Sequence, residues 1–141
     1  MAESTVDAKL RIARVARLAT RNAEGWPHVV PVCFVYDGEA IYTAVDRKPK
    51  QVAIEKLARV RNIETNPEVA LLVDQYDEDW DKLWYILVRG RGSILRNGAE
   101  QVQALRQLRN KYAQYASADL LPAEAAVIRI VPVKIISWGK L

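Results

Sequence analysis

Three short apolar segments between Ala16 and Val45, separated by little more than turn chemistry, constrain this chain more than any other feature. Ala16 to Thr20 reads as a first strand that runs into Arg21-Asn22-Ala23-Glu24-Gly25, where Asn and Gly supply a turn. A hairpin is the expected outcome. Pro27 to Tyr36, rich in β-branched and aromatic residues, reads as the second strand, and Asp37-Gly38 then gives a two-residue turn that permits positive φ. Glu39 to Val45 is the third strand and completes a predicted meander.

The remaining elements alternate between the helical and the extended period. Val6 to Val15 spaces Leu10, Ile12, Ala13 and Val15 among charged residues as a short amphipathic helix does. A second helix is predicted from Pro49 to Glu64, with Ala53, Leu57 and Val60 as its buried stripe and Lys56, Arg59 and Arg61 on its other faces. Asn66-Pro67 ends it, and Val69 to Val73 reads as a buried strand. After an acidic loop, Leu83 to Leu95 is a long strand whose Gly90 and Gly92 mark a bulge or a bend. Asn97 is placed to cap a helix from Gly98 to Tyr115 with Val102, Leu105 and Leu108 as its stripe, and Val127 to Trp138 forms one or two closing strands. Six or seven strands with about three helices predict an antiparallel barrel, mostly β or α+β. A Rossmann fold does not fit, because Gly90-Arg91-Gly92 lacks the third glycine and the following helix.

At 141 residues, 50% apolar and 27% charged, the chain is expected to form a single domain over residues 1–141. No apolar run reaches the roughly 18 residues of a spanning helix, and the start lacks the plan of a secretion signal, so a cytoplasmic protein without membrane contact is expected. One cysteine, Cys33, and one histidine, His28, leave no metal-ligand set. The net charge of +4 is a mild excess spread along the chain, with no basic arm for a nucleic acid.

Basic residues concentrate at Arg47 to Lys50, where the second helix begins. Unpaired N–H groups and the positive end of the helix dipole meet Lys48 and Lys50 there, which suits a phosphate; the other reading is a pair of exposed surface lysines. Thr43 adds a hydroxyl and Tyr42 a ring or phenol just before them, although both are also ordinary strand residues. His28 and Cys33, an odd step apart, face opposite sides of their strand and cannot pair as nucleophile and base. No Gly-x-Ser-x-Gly elbow is present, so no catalytic side chain is assigned. Asp74 to Asp81 lacks the glycine and glutamate of a calcium loop. Trp26, Trp80, Trp84 and Trp138 read first as core or interface residues, and second as a platform for a flat cofactor.

These residues carry a resemblance. Arg17-Leu18-Ala19-Thr20, His28-Val29-Val30-Pro31-Val32, Tyr42-Thr43-Ala44-Val45-Asp46-Arg47-Lys48-Pro49-Lys50, Asn62 to Leu72 with its Asn66-Pro67 turn, Asp79-Trp80, Leu83-Trp84 and Trp138-Gly139 stand in an order that resembles the pyridoxamine 5'-phosphate oxidase-like proteins of the FMN-binding split-barrel fold. The branch dependent on the deazaflavin coenzyme F420 is the most similar. The resemblance implies an antiparallel split β-barrel, a homodimer with cofactor sites at the interface, and hydride transfer between coenzyme F420 or FMN and a small organic substrate. By position it implies that the backbone of His28, Val29, Val30 and Pro31 lines the ring, that Tyr42 and Thr43 flank the phosphate arm, that Lys48 and Lys50 bind the phosphate, and that Trp84 or Tyr85 approaches the ring. A flavin- or deazaflavin-binding carrier on the same fold is the alternative. The chain shows no match to the C-terminal substrate-binding segment of pyridoxamine phosphate oxidase itself, so vitamin oxidation is not expected.

Overall fold

The computed structural model describes residues 3–46 and 53–141, and the side chains of residues 53–57 lie outside that description. Its elements are α1 (Thr5–Ile12), β1 (Ala16–Arg21), β2 (Pro27–Val32), β3 (Val35–Tyr36), β4 (Ile41–Ala44), α2 (Ala53–Thr65), β5 (Glu68–Gln75), β6 (Trp84–Leu95), α3 (Ala99–Lys111) and β7 (Val127–Gly139). The seven strands form one antiparallel sheet in the order β2-β1-β5-β6-β7-β4-β3. It curls into a half-barrel, so the expected split-barrel α+β fold is the one observed.

Strict alternation sets the two faces of the sheet. In β5, Val69, Leu71 and Val73 turn inward while Ala70, Leu72 and Asp74 turn outward, and in β6 Ile86 and Val88 turn inward against them. These residues, with Leu18, Val30, Ile128 and Ile130, fill the concave side, where Leu10 of α1 and Ile63 of α2 close it. Burying each such side chain contributes about 1.5–3 kcal/mol. A second core lies outside the curl, where Ala104, Leu105 and Leu108 of α3 cover Val35, Tyr42, Ala44 and Val127. Helix α3 thus shields β3, β4 and the start of β7. Among the described residues no helix covers the outer face of the remaining strands.

Several expectations are corrected. The predicted strand from Pro27 to Tyr36 breaks at Cys33-Phe34, because the Phe34 backbone is held by α3 instead of by a strand: its N–H donates to Tyr112 Oη at 3.0 Å and its carbonyl accepts from Lys111 Nζ at 2.9 Å. No meander forms, since β1 and β2 pair as a hairpin while β4 pairs with β3 and β7 at the far side of the sheet. The turn at Asp37 closes one residue later than predicted: Asp37 N–H donates to the Ala40 carbonyl, which places Gly38, at φ +97°, first in the two-residue loop. Gly98 and not Asn97 precedes α3, and that helix ends at Lys111, short of Tyr115. Val102 lies on its exposed side; Gln101 and Ala104 join Leu105 and Leu108 in the buried stripe. In α2, Val60 is buried as expected, but so is Arg59.

Other expectations hold. The long strand does carry its irregularity at Gly90, where the register against β7 shifts between Arg89 and Gly90. A Cβ at Gly90 would stand 2.7 Å from the Val131 carbonyl oxygen, so the close approach of β7 excludes a side chain there. The closing segment is one strand of 13 residues.

Candidate functional site

Strand β2 forms one end of the sheet, with β1 on one side and no strand on the other among the described residues. Its outer edge therefore carries backbone N–H and C=O groups that the sheet does not pair, except that Pro27 and Pro31 have no N–H to contribute. Cross-strand register assigns the side chains. Val29 and Pro31, opposite Ala19 and Arg17, face outward, whereas Val30 and His28, opposite Leu18 and Thr20, face inward. Val30 belongs to the core, and His28 Nδ1 is buried with no hydrogen-bond partner among the described residues. Cys33 turns toward α3, so His28 and Cys33 face opposite sides as expected.

Strand β4 reaches the same region from the far side of the curl, because β2 and β3 are successive pieces of one segment and β3 pairs with β4. Tyr42 points outward beneath α3, where its Oη donates to Glu100 Oε2 at 2.6 Å and Arg129 Nε donates to the same oxygen at 2.6 Å. Burial, reinforced by the Glu100 carboxylate, pushes the Tyr42 phenol up to about 12. The hydrogen bond from Tyr42, aided by Arg129, lowers Glu100. The Tyr42 phenol is thus committed to Glu100 of α3, which Arg129 of β7 also holds. Thr43, 1% exposed, lies on the opposite face of β4.

A set of buried polar groups lines the concave side near α2. Asn62 Nδ2 donates to Thr20 Oγ1 at 3.0 Å, and Thr20 sits across from His28; Asp46, just past β4, instead accepts from Tyr115 Oη of the second core. Burial and the Asp46 carboxylate together raise the Tyr115 phenol. Lys48 and Lys50 lie outside the described residues. The phosphate cradle expected from them is therefore located only by its flanks, Asp46 before it and α2 after it. Trp84 is packed in the inner core with Lys9 Nζ 5.1 Å from its ring centroid, and Tyr85 is the residue of that pair that faces outward, stacked on Trp138 at 5.8 Å. Glu100, Arg129 and Tyr112 carry no local motif in the sequence, since each meets partners dozens of residues away, and Asn62 stood out only as part of the Asn62 to Leu72 stretch, without its partner Thr20. Among the described residues no group of three or more His, Cys, Asp or Glu could hold a metal, and no helix is long and apolar enough to cross a membrane.

The family model for pyridoxamine 5'-phosphate oxidase matches residues 2–139. The chain belongs to this family. None of the curated proteins matches it in sequence. Among solved structures, a conserved hypothetical protein of Mycobacterium tuberculosis is similar at 20% identity and a TM-score of 0.77, covering 99% of this chain and 85% of that one. An F420 reductase is similar at 24% identity and a TM-score of 0.68, covering 96% and 98%. HutZ, the heme storage protein of Vibrio cholerae, is similar at 19% identity and a TM-score of 0.69, covering 91% and 87%. At these identities the likeness is one of fold, a fold shared by oxidoreductases and heme-binding proteins alike.

Proposed function

We propose that this chain is an oxidoreductase that works as a homodimer and binds coenzyme F420, or FMN in its place, for hydride transfer to or from a small organic substrate. Family membership over nearly the whole chain supports this reading most directly. The unpaired edge of β2 offers the Val29 N–H between the carbonyls of Pro27, Val29 and Pro31, which suits the polar rim of a flat heterocycle and supports a backbone role for this strand. Val29 and Pro31 would contribute an apolar surface outside that edge. Lys48 and Lys50 would hold the phosphate by charge-assisted hydrogen bonds, each worth about 1.5–3 kcal/mol. The bound ring supplies the hydride chemistry, and the protein binds it, orients it and keeps water from it. No side chain is assigned as an acid or base.

Heme-binding relatives on the same fold pose a second cofactor class, which would call for an axial protein ligand such as histidine. The sole histidine, His28, turns inward beside Thr20 instead of toward the open edge of β2, which favours the flavin-type reading. Titration of the purified protein with coenzyme F420 and with FMN, followed by absorption and fluorescence, tests the proposal. Saturable binding of one of them is expected, weakened at least tenfold by Lys48→Ala with Lys50→Ala while the circular dichroism stays unchanged. Unchanged affinity in the double variant overturns the phosphate assignment, and binding of neither cofactor overturns the function.

A further inference from the structure

We propose that the cavity between α3 and the break separating β2 from β3 is a binding site for a small planar carboxylate, held by its ring against Tyr112, Tyr115 and Leu120 and by its charge on Arg14. The cavity has a volume of about 790 Å³ and is lined by these four residues with Cys33, Ala113 and Gln114. That lies within the roughly 300–1,000 Å³ of small-molecule sites, which are apolar with a few polar groups that fix orientation.

Its walls are aromatic and offer no free hydroxyl. Tyr112 Oη accepts from the Phe34 N–H and shares its own proton between the carbonyls of Arg14, at 2.9 Å, and Phe34, at 3.0 Å. Tyr115 Oη donates to Asp46. The two rings meet edge to face with centroids 5.6 Å apart, so what they present is π surface suited to another flat ring.

Arg14 is the charged side chain of the cavity wall, and the Asp46 carboxylate behind Tyr115 is engaged by the Tyr115 hydroxyl. Arg14 stacks its guanidinium 4.7 Å from the Tyr112 ring centroid and spends one N–H on the Lys111 carbonyl at 3.0 Å, which leaves further donors of its five. Arg14 and Lys111 form no ion pair with a carboxylate among the described residues. Burial chiefly, and Arg14 second, pull the neighbouring Lys111 down to about 8, and no ion-pairing negative charge offsets Arg14 among the described residues. A carboxylate on Arg14 would supply it, with a geometry that a guanidinium matches two bonds at a time. This inference does not rest on the cofactor reading, since the cavity lies on the α3 side of the sheet and uses none of the residues assigned to the ring or phosphate.

The probes are 2-naphthoate and its neutral amide, 2-naphthamide, titrated calorimetrically into the full chain without cofactor. The acid is expected to bind at least tenfold more tightly than the amide. Arg14→Gln, at an exposed side chain, should erase that preference, and Leu120→Trp, which narrows the cavity, should weaken both ligands about tenfold. Bound naphthoate should slow iodoacetamide alkylation of Cys33, the chain's single cysteine, which locates the ligand even where a variant fails to fold. Absence of saturable binding, a preference that survives Arg14→Gln, or alkylation of Cys33 at an unchanged rate each overturns the proposal.

Discussion

Lys111 ends α3 with its ammonium 4.2 Å from the centroid of the Phe34 ring and 2.9 Å from the Phe34 carbonyl oxygen. Burial chiefly, and Arg14 second, lower its pKa from 10.5 to about 8. The sign of the linkage follows. Between about pH 8 and 10.5 the unfolded chain holds a proton at Lys111 that the folded chain has released, so stability contributed at this site rises with pH across that window. Lys111→Met removes the titration and provides the reference. The difference in unfolding free energy, wild type minus variant, should increase between pH 7.5 and 9.5 in urea denaturation, and a flat or falling difference would contradict the burial of this charge. The Tyr42, Glu100 and Arg129 group acts at the same scale but as structure. Glu100→Gln should return the Tyr42 phenol toward its ordinary pKa, read by ultraviolet titration, with a stability loss of about 1 kcal/mol for the weakened charge-assisted bonds.

At the scale of elements, the break between β2 and β3 decides the architecture, because it lets one segment serve both ends of the sheet. Tyr112 maintains it through the Phe34 N–H, and Tyr112→Phe would leave that buried donor without an acceptor at a cost of about 1–3 kcal/mol. A lower urea midpoint with an unchanged slope is the expected result, and no shift would mean that the break is held elsewhere. What the sequence revealed divides along the same line. The β1–β2 hairpin, the α2 stop at Asn66-Pro67 and the irregularity at Gly90 were legible, because each is written in residues adjacent to its effect. The break at Cys33-Phe34 was not, since the groups that hold Phe34 lie 77 and 78 residues away and Pro27 to Tyr36 has unbroken strand propensity. The candidate site divides likewise: Tyr42 was marked by its position before the lysines, but its partner Glu100 lies 58 residues on. Val102 misled for a further reason, because α3 packs on its 101, 104, 105 and 108 side, a choice between two apolar stripes that only the sheet can make.

Across the whole molecule, the uncovered outer face of the sheet is the feature that calls for a partner. Val29 and Val133 are 59% and 67% exposed there, Tyr85 and Trp138 stack openly, and Leu72 and Leu87 lie beside them. Large apolar groups this exposed are uncommon on a monomer, and they share the face with Arg89 and Arg91 of β6 and with the ion pairs Arg17–Asp74 and Arg21–Glu68. A second copy of the chain is the occupant proposed for it, since two such faces are self-complementary under a twofold axis. The face is continuous with Val29 and Pro31 of β2, so pairing would also wall the edge assigned to the cofactor ring. Sedimentation should then give twice the 16.0 kDa of the chain. Val29→Asp with Val133→Asp replaces apolar groups of that contact by carboxylates, which removes their burial and adds a desolvation cost to pairing. The double variant should sediment as a folded monomer and lose cofactor affinity in the same step, although neither substitution touches the phosphate lysines. A wild-type monomer at micromolar concentration, or a double variant that stays dimeric, would remove the outer face from the interface; a monomer that still binds cofactor at full affinity would place the site within one chain.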